Sequence, residues 1–264
     1  MARGRSSKVA GGALELTLRR QELSRDDGGH ACWREIVEPA AYACAQTALL
    51  LCDVWDRHWS RGATERVDAM VPRMNEVATA ARDMGVLIVH APSGTLDFYA
   101  DTPARRRAVE CSPVNPPVDL HRDDPPMPVD ASDHGSDTGE VETHQAGSRQ
   151  HPGSDIDQEA DIITDDGREV YSFLSGRGIT SVLIMGVHTN MCVLGRSFAI
   201  KQMVRWGMTV ALIGDLTDAM YNPASPPYVS HDEGTRLVVE YIEKFWCPTV
   251  LSGDILNDSS KSGG

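Results

Sequence analysis

Cys192 and Asp53 are the two side chains in this 264-residue chain whose types and placement suggest chemistry. Cys192 follows the apolar run SVLIMGV, residues 181–187, after the short polar stretch HTNM. Residues 182–185 are too few for a buried helix and rich enough in β-formers to read as a strand covered on both faces, stopped by Gly186. Beyond the cysteine, Val193, Phe198, Ile200, Met203 and Val204 recur at helical spacing as far as Gly207, a terminator. The thiol is thereby expected at a helix N-terminus. Free N–H groups and the helix dipole favour an anion there, which would draw the thiol pKa below its ordinary value of about 8.5. A buried, inert cysteine is the alternative reading. Asp53 closes a second apolar run, ALLLC at residues 48–52. Neighbouring strands of an open α/β sheet direct their carboxyl ends into one crevice, so this acid and the thiol can meet. A carboxylate beside a thiol can act as its general base. Taken alone, an Asp after a strand is a helix cap or turn former.

The elements that must position these two residues follow the same alternation. Residues 62–83 read as helix, broken or restarted at Pro72, and lead through Met84 and Gly85 into a strand at 86–90. A strand at 209–213, a helix at 236–245 and a final strand near 248–251 follow the cysteine. Strands alternating with helices predict a three-layer α/β/α domain with a mainly parallel, Rossmann-like sheet. Ahead of it, LELTL at 14–18 and CWREIV at 32–37 alternate around a Gly-rich, acidic turn and predict an N-terminal β-hairpin appended to the domain. The organisation expected is a disordered basic tail at 1–12, the hairpin extension at 13–46, the main domain at 47–256 with an acidic insertion at about 112–160, and a flexible tail at 257–264.

These residues resemble the isochorismatase-like cysteine hydrolases, the family of nicotinamidase and N-carbamoylsarcosine amidohydrolase, over about residues 47–255. The signature G-V-x-T-N-x-C-V reads here as Gly186, Val187, His188, Thr189, Asn190, Met191, Cys192 and Val193. Asp53, Val54, Trp55 and Asp56 echo the acid and the polar, aromatic stretch after the family's first strand, with further matches in HPGSDI at 151–156 and GDLTDAM at 214–220. The resemblance implies a cis peptide between Val187 and His188, an oxyanion hole from the N–H groups of His188 and Cys192, and a homo-oligomer. It also implies a catalytic lysine after an acid and a short strand. Asp161, Ile162, Ile163 and Thr164 supply that context, but Asp165 stands in the lysine's place, and no lysine occurs between Lys8 and Lys201. Arg168 could reach the site from a loop. A cation near Asp53 and Cys192 would lower both pKa values, whereas another carboxylate would raise them. The replacements considered are the helix dipole, a protonated His58 or His188, and a carboxylate pair sharing a proton, with His58 and the dipole ranked first. A hydrogen-bonded wall residue beside Trp55 and Trp59 is the competing reading of His58.

The net charge of −13 is concentrated: residues 112–166 hold fourteen acids and two arginines, with four histidines and many prolines. This segment reads as a long insertion, either a solvated loop or a lid. Asp133, His134, Asp137, His144 and His151 match no standard metal spacing, and HAPSGTLDFY at 90–99 lacks the nicotinamidase metal motif, so neither a metal nor a cofactor is expected. The charge disfavours nucleic acid. No apolar run is long enough for a membrane span, and six cysteines without a CxxC pair suit a reducing cytoplasm. The function expected is a cysteine-dependent hydrolase acting on a small amide or related C–N bond through a thioester, with Trp55 and His58 as substrate-binding walls and Ser93, Tyr221 and His231 nearby. Vinyl ether hydrolysis of the isochorismatase type and a catalytically weak binding or scaffold protein are the alternatives.

Overall fold

Residue-by-residue alternation of buried side chains builds the sheet at the centre of the protein. The computed structural model describes residues 12–143 and 147–262, with side chains described as far as 257; the tail expected at 1–12 and His144 therefore lie almost wholly outside the described residues. The strands are β1 (Ala13–Arg25), β2 (Ala31–Ala43), β3 (Thr47–Cys52), β4 (Leu87–Ala91), β5 (Ile162–Ile163), β6 (Ser181–Val187), β7 (Thr209–Asp218) and β8 (Thr249–Val250). They form one eight-stranded sheet in the order β2-β1-β8-β7-β6-β3-β4-β5. The strands from β8 to β5 are parallel to one another, while β1 pairs antiparallel with both β2 and β8.

Every residue of β3 is buried, as a strand covered on both faces requires. Leu49, Leu51, Ile88, Leu183 and Met185 pack with Val67, Val71, Met74 and Val77 of helix α1 (Arg61–Asp83) on one face. Ala48, Leu50, Val89, Val182 and Ile184 face the other layer, with Phe173 and Leu174 of α3 (Gly167–Gly176), Met203 of α5 (Ile200–Arg205) and Ile242 of α6 (His231–Phe245). The remaining helices are α2 (Pro103–Val109), α4 (Cys192–Gly195) and α7 (Ser252–Ser262). The three-layer α/β/α expectation thus describes the molecule.

The expected N-terminal hairpin is present as β1 and β2, and it is joined to the domain: Leu14, Leu16 and Leu18 are buried in the α1 core layer, and β1 joins the main sheet through Arg19 and Thr249. Other details depart from the sequence reading. Helix α1 runs unbroken through Pro72, which sits on its exposed face, where water can serve the carbonyl that loses its donor. Helix α7 extends to Ser262, through most of the segment expected as a tail. Gly186 does not end β6 but sits inside it at a register shift against β7. Its φ of 127° is open to glycine, and a Cβ there would run into the Cys52 carbonyl of β3.

The chain runs outward from β3 to β4 and β5, then returns to β6 on the other side of β3 and continues to β7 and β8. The gap beyond the carboxyl ends of β3 and β6 is therefore the topological switch point, where open α/β sheets form their crevice. Cys52 pairs with Gly186, so Asp53 and the segment leading to Cys192 leave the sheet side by side. Gly186→Ala should cost about 3 kcal/mol or more, from the collision and the disfavoured φ together. Denaturant unfolding measures the loss; a change below about 1 kcal/mol would show that β3 and β6 can separate without cost.

Candidate active site

Asp53 leaves β3 with φ 51°, a left-handed conformation that Asp tolerates better than most residues. Its N–H donates to the Ala91 carbonyl at 3.0 Å and its own carbonyl accepts from Trp55 N–H at 2.9 Å, so the turn is tied to β4 and to itself. The side chain is fully buried. Oδ1 accepts from the Ser93 N–H at 2.7 Å, and Oδ2 from Nε of Arg196 at 3.0 Å. The Cys192 thiol lies close enough to this carboxylate for each to shift the other's proton affinity.

Cys192 opens α4, which lasts a single turn to Gly195. The expected continuous helix to Gly207 is interrupted: Arg196 turns extended at φ −62°, ψ 153°, and helix resumes only at Ile200. The Arg196 N–H still closes onto the Cys192 carbonyl at 3.1 Å, and from this break its side chain reaches Asp53. The cation that the sequence reading sought at Asp165, Arg168 or His58 is therefore Arg196. Its signal was the spacing Cys192-Val-Leu-Gly-Arg196, legible only once a cation four residues past the cysteine is considered. The guanidinium side chain is 42% exposed, and neither terminal nitrogen has a partner among the described residues.

The N–H of His188 is directed at the Cys192 sulfur. The Val187–His188 peptide is cis, and Val193 N–H and Met191 N–H both donate back to the His188 carbonyl, closing a tight loop around the thiol. Asn190 fastens this loop to β7's far end: its Oδ1 accepts from Met220 N–H at 2.8 Å and its Nδ2 donates to the Met220 carbonyl at 2.9 Å.

The electrostatics correct the expectation of an acidic thiol. Burial, then the neighbouring Asp53 charge, push the Cys192 thiol up to about 12, against smaller opposing effects of Arg196 and the His188 N–H. One turn of helix supplies too little dipole to reverse this. Burial also raises the Asp53 carboxyl above its ordinary value, and Arg196 and the Ser93 hydrogen bond oppose the rise. Partial burial works against the Arg196 charge, but Asp53 more than offsets it and holds the guanidinium protonated. The resting site is thus a neutral thiol beside an ion-paired carboxylate.

The other candidates fall elsewhere. Asp165 accepts from Gly94 N–H at 2.8 Å, which fixes the loop whose Ser93 N–H holds Asp53. Arg168 is exposed in the first turn of α3, behind the cap made by Asp166. Burial pushes His58 down to about 4 and His188, together with the nearby His58, down to about 3, so both rings are neutral and neither is the missing cation. His58 is a wall residue: its ring lies 6.1 Å from that of Trp55 and 4.8 Å from that of His188, and its Nδ1 accepts from Ser60 N–H. With Trp55, Arg57, Thr64, Val67 and Val187, these histidines line a small cavity, and the buried His188 Nε2 has no partner. Trp55 Nε1 donates to the Ser93 carbonyl at 3.0 Å, bracing the same loop. Tyr221 is core, fully buried beneath Gly234, and His231 is bound to Asp218 at 2.8 Å rather than facing the crevice as a free group.

The acidic insertion runs along the outer faces of α3, α5 and α6 and then reaches this end of the sheet. Asp137 pairs with Arg66 at 2.8 Å, Thr138 accepts from Gly62 N–H, and Asp124 receives Lys201 and Tyr241. Residues 148–151 run against 54–56, with Trp55 bridged to Gln150 and Asp56 accepting from Ser148 and Arg149 N–H groups. Asp133 bonds Asn222 and Ser225, His134 pairs with Glu142, and His151 with Asp68. Among the described residues no three His, Cys, Asp or Glu side chains converge as a metal site would require, and no helix is long and apolar enough to cross a membrane.

No protein-family model matches the sequence, and no curated protein matches it. Solved structures do. A cysteine hydrolase from Pseudomonas syringae pv. phaseolicola 1448A superposes with a TM-score of 0.51 at 14% identity, over 83% of this chain and 94% of that one. An isochorismatase family protein from Burkholderia thailandensis gives 0.46 at 14% identity, over 81% and 96%. PnC1 from L. infantum, solved in complex with nicotinate, gives 0.44 at 14% identity, over 80% and 96%. At such identity the likeness is one of fold, and the chain has the isochorismatase-like α/β fold.

The alkylation rate of Cys192 should climb with pH through 10 without levelling near 8.5. Asp53→Asn removes a group that raises the thiol pKa and should bring the rise to lower pH; Arg196→Ala removes a group that lowers it and should delay the rise. Stopped-flow alkylation across pH 6–11 reads all three profiles, and a plateau near 8.5 in the parent would contradict the buried thiol beside a carboxylate.

Proposed function

We propose that this protein is a cysteine-dependent hydrolase of a small amide or related C–N bond, using Cys192, Asp53 and Arg196. The observation that supports the reading is the buried Asp53 carboxylate, which receives the Ser93 N–H and the Arg196 guanidinium at once and lies beside the Cys192 thiol. A carboxylate so held can take the thiol proton as the sulfur attacks a carbonyl carbon. Charge on the carbonyl oxygen would be received by the N–H groups of His188 and Cys192, each such donor worth a few kcal/mol. The C–N bond then breaks, the proton on Asp53 passes to the departing nitrogen, and a thioester remains. Water, deprotonated by the same carboxylate, hydrolyses the thioester and restores the thiol. Trp55 and His58 line a small cavity beside Val187 and His188, and their ring faces suit a small planar substrate. Because the thiol is neutral at rest, the proton must move together with attack, which makes Asp53 indispensable. Arg196 keeps that carboxylate ionised in a buried site.

Cys192→Ala should reduce turnover of a susceptible amide by at least about 10⁴-fold. Asp53→Asn should do the same without loss of stability. The folded pKa of Asp53 is raised, so ionising it costs stability, and that cost is fully present at neutral pH; removing the charge leaves the fold at least as stable. Arg196→Ala should lower kcat about 10²-fold. In the parent, kcat/KM should fall with acid through a pKa above 3.8, and in Arg196→Ala that limb should move to higher pH, because Arg196 lowers the Asp53 pKa. Turnover of a panel of small amides by the parent and the three variants is the test. If Cys192→Ala turns over as fast as the parent, the hydrolase reading fails and the scaffold reading replaces it.

A further inference from the structure

The outer face of the N-terminal hairpin carries an inference independent of the crevice chemistry. Strand β2 has a neighbour on one side only, and it presents a thirteen-residue edge without a bulge. Natural sheets seldom leave so long an edge unpaired. Which of its groups face outward can be worked out. Thr17 lies opposite Pro39, and the Thr17 N–H turns away from β2 to donate to Asp254 at 2.9 Å. The two residues are therefore a non-hydrogen-bonded pair, and by alternation the odd-numbered residues of β2 point their N–H and C=O groups outward. Pro39, which has no N–H, falls on an odd position and costs the hairpin nothing.

We infer that β2 pairs antiparallel with β2 of a second copy of this chain about a two-fold axis at Ile36. Two identical antiparallel edges can meet only in registers whose opposed residue numbers sum to an even value, because groups of the same parity must face one another. A centre at Arg34, Glu35 or Glu38 sets that charge against itself. A centre at Val37 sets Glu38 against Ile36 and Arg34 against Ala40, with no charge compensated. A centre at Ile36 sets Arg34 against Glu38 of the second copy twice over, Ile36 against Ile36, Glu35 against Val37, and Trp33 against Pro39. Arg34 lies across the hairpin from Glu22, whose carboxyl it helps hold down, and Glu38 meets Arg20 at 3.5 Å; both side chains are exposed and within reach of a second copy as well. Val37 is 55% exposed and Trp33 41%, and Trp33 is held against the Phe245 ring at 5.6 Å, ready to receive a proline ring. The outward N–H and C=O groups of Glu35 and Val37 meet their counterparts directly, which joins two eight-stranded sheets into one.

The test is the oligomeric state of the full chain by sedimentation equilibrium across micromolar concentrations, where a dimer is expected. Arg34→Glu alone and Glu38→Arg alone should each raise the dissociation constant by at least about tenfold through like-charge opposition, and the double swap should restore it. Val37→Pro removes an outward donor without touching the β1 ladder and should also dissociate the dimer, with the unfolding temperature of the monomer showing that the hairpin survives. In a Cys32→Ser background, Ile36→Cys should form a disulfide-linked dimer under mild oxidation. The two residues are a non-hydrogen-bonded pair, whose Cβ atoms lie about 4.5–5.5 Å apart, close enough for bridging after a small shift. A monomeric parent overturns the inference, as does a dimer that the charge swaps leave unchanged or one that Ile36→Cys does not cross-link.

Discussion

The Asp53 carboxylate sits where a charge is expensive, and the rest of the site is the set of groups that make it tolerable. A buried ion unpaired would shift its pKa until it became neutral, and Asp53 does move in that direction. Arg196 limits the movement from the solvent side, Ser93 N–H from the β4 loop, and the Cys192 thiol from the adjacent strand end. Each of these depends on another support. Ser93 is placed by Trp55 Nε1 on its carbonyl and by Asp165 on the next N–H, Arg196 by the break after Gly195, and the thiol by the loop that Asn190 pins to Met220. Disturbing any of them changes how much of the carboxylate is ionised.

Sheet geometry sets the scale of this arrangement. Gly186 lets β6 close onto the Cys52 carbonyl, and that approach brings the two strand ends near enough for a thiol and a carboxylate to shift each other's proton affinity. The later part of the acidic insertion lies over the same end, held by Arg66, while its earlier part is held on the outer helices by Lys201 and Tyr241. Its charge is met by cations at several anchors. This explains how a segment with fourteen acids can fold back over a negatively charged protein.

Much of this was legible in the residues. The buried strand before Cys192 shows in its β-branched run, Asp53 in its place after ALLLC, and the hairpin in the alternation of LELTL and CWREIV. Three points were not, for physical reasons. Gly186 reads as a strand end because sequence cannot show that a neighbouring carbonyl occupies the space of its missing side chain. Pro72 reads as a break because its harmless exposure on α1 is a tertiary fact. The cation escaped because the apolar spacing past Cys192 predicts one helix, whereas Arg196 works from the interruption in it.

The expectation about the thiol failed for a reason that reaches into the chemistry. A catalytic cysteine is commonly activated by net positive charge, which stabilises the thiolate before substrate arrives. Here the cation is spent on the carboxylate: Arg196 faces Asp53 through Nε, and the pair presents the sulfur with almost no net charge. What the thiol feels is burial and an acceptor for its proton, and both hold the proton in place. On the proposed mechanism, such a site would gain its reactivity only when a carbonyl carbon is present to take the sulfur's electrons as Asp53 takes its proton. Oxidants and alkylators that need a free thiolate would then meet a poor target, while a polarised carbonyl held by the His188 and Cys192 N–H groups would meet a good one. On that reading an Asp–Arg pair in place of an exposed cation exchanges standing nucleophilicity for selectivity toward substrates that can complete the proton transfer.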